Sequence, residues 1–126
     1  MKHLLLDTNV VVWLLTGDRE AVSQVATEAL LNEENSISVS AVSYWEIAIK
    51  RSNGKLEIEA DWARALGRLD FDPLVITSEH AAKVESLPWI HRDPFDRLLI
   101  AQAMLENHHI VTADRDIPGY DVEVVW

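Results

Sequence analysis

Apolar and polar positions along this chain follow two alternating rhythms. Five short apolar runs have the length and continuity of strands covered on both faces. They are His3-Leu4-Leu5-Leu6, Ile37 to Val39, Leu74-Val75-Ile76, His109 to Thr112 and Val122 to Val125. Between them, apolar residues recur at helical spacing. Asn9 is placed to cap a helix through Leu15 that stops at Thr16-Gly17-Asp18. A second helix is predicted from about Glu20 to Asn32, with Val22, Val25, Ala26, Ala29 and Leu30 on one face. Ser40 or Ser43 caps a helix that ends at Asn53-Gly54. Trp62, Ala65, Leu66 and Leu69 mark another, closing near Asp72-Pro73, and Ser78 caps one through Leu87. Asp93-Pro94 opens the longest helix, with Asp in the cap and Pro at the first helical position.

Repeated strand–helix units of this length predict an α/β domain with a parallel sheet and helices on both faces. In such sheets ligands bind beyond the carboxyl ends of the strands. Asp7 and Asp114 each stand just past a predicted strand, at that edge.

Composition narrows the class. With 126 residues the chain reads as one domain spanning residues 1–126, and 48% apolar with 25% charged residues is ordinary for a soluble globular protein. The absence of cysteine removes disulfides, thiolate zinc sites and thiol nucleophiles, and fits a reducing cytoplasm. No apolar stretch approaches the ~20 residues of a membrane span, and the N-terminus lacks the long apolar region of a signal peptide. Only four glycines are present and none forms a phosphate loop, so P-loop hydrolysis is excluded; the Gly-x-Ser-x-Gly nucleophile pattern is also absent.

Four carboxylates sit where a charge is costly. Asp7 ends an apolar run, Glu46 is the one charge between Ile37 and Ile49, Asp96 opens the apolar stretch Leu98 to Ala101, and Asp114 follows His109 to Ala113. Buried unpaired carboxylates are neutralised, paired or bound to a cation. Four converging on one cleft would form an oxygen-rich site for Mg²⁺ or Mn²⁺. Asp93, before Pro94, reads as a cap or a site acid, and Asp116 as a loop residue or helper. Thr8 either supports the site by its hydroxyl or starts the turn. Among the five histidines only His91 is a candidate substrate contact; His108 and His109, being adjacent, project in different directions. The five tryptophans are expected mainly in the core, with any exposed ones available to a partner surface.

The net charge of −10 opposes tight, unspecific nucleic-acid binding, which rests on Lys and Arg. Divalent ions among the four acids would offset part of it. Lys50, Arg92 and Arg97 lie next to the candidate acids and read either as substrate contacts or as surface ion pairs, since Glu46–Lys50 and Arg92–Asp96 have i,i+4 spacing.

Four segments, in order, resemble the PIN-domain ribonucleases, and most of all the VapC toxins of toxin–antitoxin pairs. They are Leu6-Asp7-Thr8-Asn9, Trp45 to Lys50 continuing to Gly54-Lys55-Leu56, Asp93 to Ala103, and Val111-Thr112-Ala113-Asp114. The resemblance implies a three-layer α/β/α fold with a five-stranded, mostly parallel sheet. It implies Mg²⁺- or Mn²⁺-dependent cleavage of RNA, with the acidic quartet mapping onto Asp7, Glu46, Asp96 and Asp114. Thr112 and Asp116 fall beside that quartet. It further implies a homodimer silenced by a small VapB-like antitoxin whose basic tail enters the acidic cleft. A housekeeping RNA-processing nuclease of the same group is the alternative. A phosphatase of the haloacid-dehalogenase type needs a second acid two residues after Asp7, where this chain has Asn9. A phosphoacceptor domain and a non-catalytic binding scaffold would use the same acids without cutting RNA.

Overall fold

The computed structural model describes residues 1–126. In chain order it contains β1 (His3–Leu6), α1 (Thr8–Thr16), α2 (Gln24–Leu31), β2 (Ser36–Ser40), α3 (Ala41–Ser52), α4 (Trp62–Arg68), β3 (Asp72–Leu74), α5 (Ser78–Lys83), α6 (Pro94–Glu106), β4 (His109–Val111) and β5 (Val124–Val125). Short 3₁₀ turns lie at Arg19–Ala21, Val84–Ser86 and Ile117–Gly119. The five strands form one sheet in the order β3-β2-β1-β4-β5, and every pairing is parallel.

Alternation along the strands divides the core into two layers, because successive side chains point to opposite faces. Leu4 and Leu6 pack with Val10, Val11, Val22, Ala26, Val39, Leu66, Val111 and Val125 on the side of α1, α2 and α4. Leu5 and Ile110 pack with Leu87, Leu99, Ile100, Ala103, Ile117 and Tyr120 on the side of α6. Helix α3 serves both, giving Ile47 to the first and Val42 to the second. The result is the three-layer α/β/α arrangement, with a sheet that is wholly parallel.

Chain order reverses between β1 and its neighbours β2 and β4. That reversal opens a crevice at the carboxyl edge of the sheet, where loops from β1 and β4 diverge. Helix α1 begins immediately after β1, so its N-terminal amides also point to this edge.

Four local expectations are corrected. Helix α1 starts at Thr8, so Asp7 holds the N-cap position and Asn9 lies inside the first turn. The Asp7 side chain does not cap, because the Thr112 hydroxyl claims it instead. The predicted helix from Glu20 to Asn32 is split: Ser23 caps α2 by accepting from the Ala26 amide, ending the 3₁₀ turn before it. Thr77, not Ser78, caps α5 in a reciprocal pair with His80, and α5 yields to a 3₁₀ turn before Leu87. The third strand is Asp72–Leu74 rather than Leu74 to Ile76. Pro73 fits there because β3 is an edge strand, where a missing N–H costs no ladder bond.

Candidate active site

Each of the four acids reaches the crevice from a different element. Asp7 follows β1 and is 5% exposed; its Oδ2 accepts a 2.6 Å hydrogen bond from Thr112 Oγ1. The same Thr112 oxygen accepts from the Asp114 amide at 3.0 Å. One hydroxyl thus fixes the ends of β1 and β4 relative to each other. Glu46 comes from the middle of α3 and is 4% exposed. Its Oε2 accepts from Lys50 Nζ at 2.5 Å, while its Oε1 is buried with no hydrogen-bond partner.

Asp96 stands in the first turn of α6. Asp93 performs the capping, accepting from the amides of Phe95 (2.8 Å) and Asp96 (3.3 Å), which leaves the Asp96 carboxylate free for the cleft. Asp114 is oriented by the Asp116 amide, which donates to its Oδ1 at 2.8 Å. The Asp116 side chain itself is exposed.

His91 is the residue that sequence reasoning undervalued. Its Nε2 lies 2.6 Å from Asp114 Oδ2 and 3.6 Å from Asp96 Oδ2. The ligand atoms of His91, Asp96 and Asp114 all fall within 4.8 Å of one another. Nothing in the local pattern around His91 signals this, because the loop that carries it is folded back by contacts distant in sequence. Arg97 makes those contacts. It is 3% exposed, and its guanidinium donates to the backbone carbonyls of Val84, Leu87, Pro88 and His91. Four of its five N–H donors are used in holding that loop, which makes Arg97 a structural residue rather than the substrate contact that its position beside Asp96 suggested. Arg92 is exposed, and Lys50 is half-buried and bound to Glu46.

The remaining candidates are placed as follows. Thr8 is buried and its hydroxyl bonds Ser43 Oγ at 2.9 Å, tying the start of α1 to α3. Trp45 precedes Glu46 and meets Phe95, which precedes Asp96, edge-on at 4.7 Å; this contact joins the two helices that carry those acids. His108 and His109 lie around the start of β4, at the sheet edge away from the crevice. As expected of a mainly core placement, Trp13, Trp62 and Trp126 pack half-buried against the core, while Trp45 and Trp89 are exposed.

Electrostatics show that the acids share one field. Burial, with the charges of Glu46 and Asp114 adding to it, pushes the Asp7 pKa up against the opposing Thr112 hydrogen bond. Burial, together with Asp7, Asp93 and Glu46, pushes Asp96 up to about 7, with His91 opposing. For Asp114, burial acts upward but is outweighed by the hydrogen bonds from His91 and the Asp116 amide, so its pKa is lowered. Burial acts to lower His91, yet its bond to Asp114 and the charge of Asp96 raise it overall. Lys50 is raised by its bond to Glu46.

Carboxylates held in this way are short of positive charge. The orphaned Glu46 Oε1, the destabilised Asp7 and Asp96 anions, and a donor set of carboxylates with one imidazole fit a hard divalent cation. A family model for the PIN domain matches residues 4–123. The chain belongs to the PIN domain family. Ribonuclease VapC22 of Mycobacterium tuberculosis is 28% identical to this PIN domain over 124 residues, 95% of this chain and 93% of that protein. Among solved structures, VapBC2 from Rickettsia felis bound to a promoter DNA fragment superposes with a TM-score of 0.70 at 16% identity, covering 97% of this chain and 96% of that one. A toxin–antitoxin complex from Klebsiella pneumoniae gives 0.67 at 21% identity, covering 98% and 96%. At those identities the structural likeness establishes the fold.

Proposed function

We propose that residues 1–126 form a single PIN domain that acts as a Mg²⁺- or Mn²⁺-dependent endoribonuclease. We assign it as the toxin of a toxin–antitoxin pair that cleaves cellular RNA until a small VapB-like partner silences it. The observation that carries this reading is the convergence of Asp7, Glu46, Asp96 and Asp114, with His91, at the carboxyl edge between β1 and β4. The resemblance to a ribonuclease along nearly the whole chain, and to toxin–antitoxin complexes in fold, supports the choice of reaction and partner.

Asp7 and Asp96 would hold the ion, with Glu46 and Asp114 acting directly or through water. A divalent ion held there would lower the pKa of water and offset charge on the phosphodiester. The chain's own groups do the positioning. Thr112 aims Asp7 while holding the Asp114 backbone, and His91 holds the Asp114 carboxylate and balances charge between it and Asp96. Lys50 balances Glu46, and the exposed Arg92 is among the cations available to a substrate phosphate. A cleft this acidic suits an inserted basic side chain of an antitoxin tail, which would occupy the place of the ion. The protein works as a homodimer in this reading.

The test is incubation of purified transfer and ribosomal RNA with the protein and Mg²⁺, with and without EDTA. Mg²⁺-dependent cutting that chelation stops is expected; RNA that stays intact with Mg²⁺ and Mn²⁺ refutes the assignment.

A further inference from the structure

Trp89 is 76% exposed, on the loop that leads into His91. An indole so open to water is usually free to change rotamer, but this one is pinned. The Arg97 guanidinium lies 3.9 Å from the centre of its ring. That guanidinium is itself immobile, donating to Val84 O (3.1 Å), Leu87 O (3.2 Å), Pro88 O (2.9 Å) and His91 O (3.3 Å). The carbonyls bracket Trp89 in sequence, so both the ring and the backbone carrying it are fixed. One face of the indole is covered by Arg97 and the opposite face is open to solvent.

The charge balance of the cleft says what that open face is for. Net charge is −10, Lys50 is bound to Glu46, and Arg97 has turned both its Nη groups onto carbonyls. Phosphate contacts are left to a few exposed cations, with Arg92 and Arg115 beside the site acids and in no ion pair. A duplex, with one charge per ~1.7 Å of axis, is a poor ligand for such a surface. An unpaired base, by contrast, stacks on an aromatic face at a gain that needs no cation. A ring already immobilised loses little freedom when it stacks. One residue, Ile90, separates Trp89 from His91, which bonds Asp114 at 2.6 Å, so the plate adjoins the acidic cluster.

Resting on the ribonuclease reading, we propose that Trp89 is a stacking platform for an unpaired nucleotide next to the scissile phosphate. The platform acts on binding, so its loss falls on KM. Trp45 is the poorer probe, since its contact with Phe95 holds the acids of α3 and α6 in place.

The experiment measures steady-state cleavage of one single-stranded oligonucleotide, and of a series of it carrying one abasic ribose at each successive position, by the wild type, Trp89→Ala and Trp89→Phe. On the intact strand Trp89→Ala is expected to lower kcat/KM by about tenfold through KM, within the range of base–aromatic stacking, and Trp89→Phe to recover most of it. At one abasic position near the cut the wild type should lose the same factor, and the difference between it and Trp89→Ala should vanish. A Trp89→Ala penalty that persists at every abasic position means that the ring acts through protein packing, such as a subunit or antitoxin interface, and overturns the proposal. An unaltered KM in Trp89→Ala overturns it as well. A wild type that cuts no RNA fails earlier and removes the nuclease reading itself.

Discussion

Helix α6 carries two buried polar clusters, and they are built on opposite principles. Toward its C-terminal end, Gln102 is fully buried and every polar atom around it finds a partner. Gln102 Oε1 accepts from Ser40 Oγ at 2.6 Å, and its Nε2 donates to Val75 O and His80 Nδ1, both at 3.3 Å. His80 Nδ1 also accepts from the Thr77 amide, and His80 Nε2 meets Glu106 Oε1 at 2.9 Å. At the other end of the helix, Asp96 faces Asp7, Glu46 and Asp114, burial and like charge push two of these acids up, and one Glu46 oxygen is left without a partner. A satisfied network fixes a core; a frustrated one stores a demand for an external cation. The difference marks the first cluster as structural and the second as functional, in one helix and without reference to any relative.

The sharpest way to break this contrast is to neutralise the frustrated cluster. Asp7→Asn or Asp96→Asn should lower RNA cleavage by at least about a hundredfold, as expected when a metal that stabilises transition-state charge by several kcal/mol is lost. Their circular dichroism should stay native. Activity near wild type in either purified variant would contradict the assigned role.

Removing the link between strand ends gives a smaller effect. Thr112→Val deletes both the bond to Asp7 and the acceptor for the Asp114 amide. Loss of such a supporting contact should cost about tenfold to a hundredfold in metal affinity or rate. A Mn²⁺ titration followed by calorimetry, alongside cleavage rates, would measure it.

The satisfied cluster should answer in stability instead. Gln102→Leu strands Ser40 Oγ and the Val75 carbonyl, and should lower unfolding free energy by about 1–3 kcal/mol. Denaturation in urea would show this, with cleavage per folded molecule unchanged. If cleavage falls while stability holds, the division between the two clusters fails.

The smallest effect concerns pH without metal. Asp96 titrates at about 7 when folded against an ordinary 3.8, and Asp7 is raised in the same direction. Between those limits the folded chain keeps protons that the unfolded chain has released, so stability falls as pH rises from about 4 to about 7. In EDTA the melting temperature should drop over that window. Added Mn²⁺ should flatten the dependence, because the cation stabilises the ionised forms.

Much of this was legible in the residue pattern, for physical reasons that differ by element. Asp7 and Asp114 announced themselves because a charge at the end of a fully apolar strand can only lie at the sheet's carboxyl edge. Glu46 and Asp96 were visible as lone charges on apolar helices. Asp93 was legible as a cap because Pro94 follows it. Local competition hid the rest. Asp72-Pro73 looked like a terminator because an edge strand's tolerance of proline depends on where the strand lies in the sheet, which its own residues do not state. Asp7 and Asn9 compete for the start of α1, and Thr112, more than a hundred positions away, decides the outcome. The role of His91, and the structural use of Arg97, depend on a loop folded across sequence separations of 6 to 13 residues. No short motif encodes those carbonyl contacts.

Anomalous diffraction from crystals soaked in Mn²⁺ tests the central claim most directly. The account predicts an ion in contact with the Asp7 and Asp96 carboxylates, lost in Asp96→Asn crystals. Crystals in which Mn²⁺ leaves that cleft empty, and settles only on exposed acids such as Glu33 and Glu34, would contradict it.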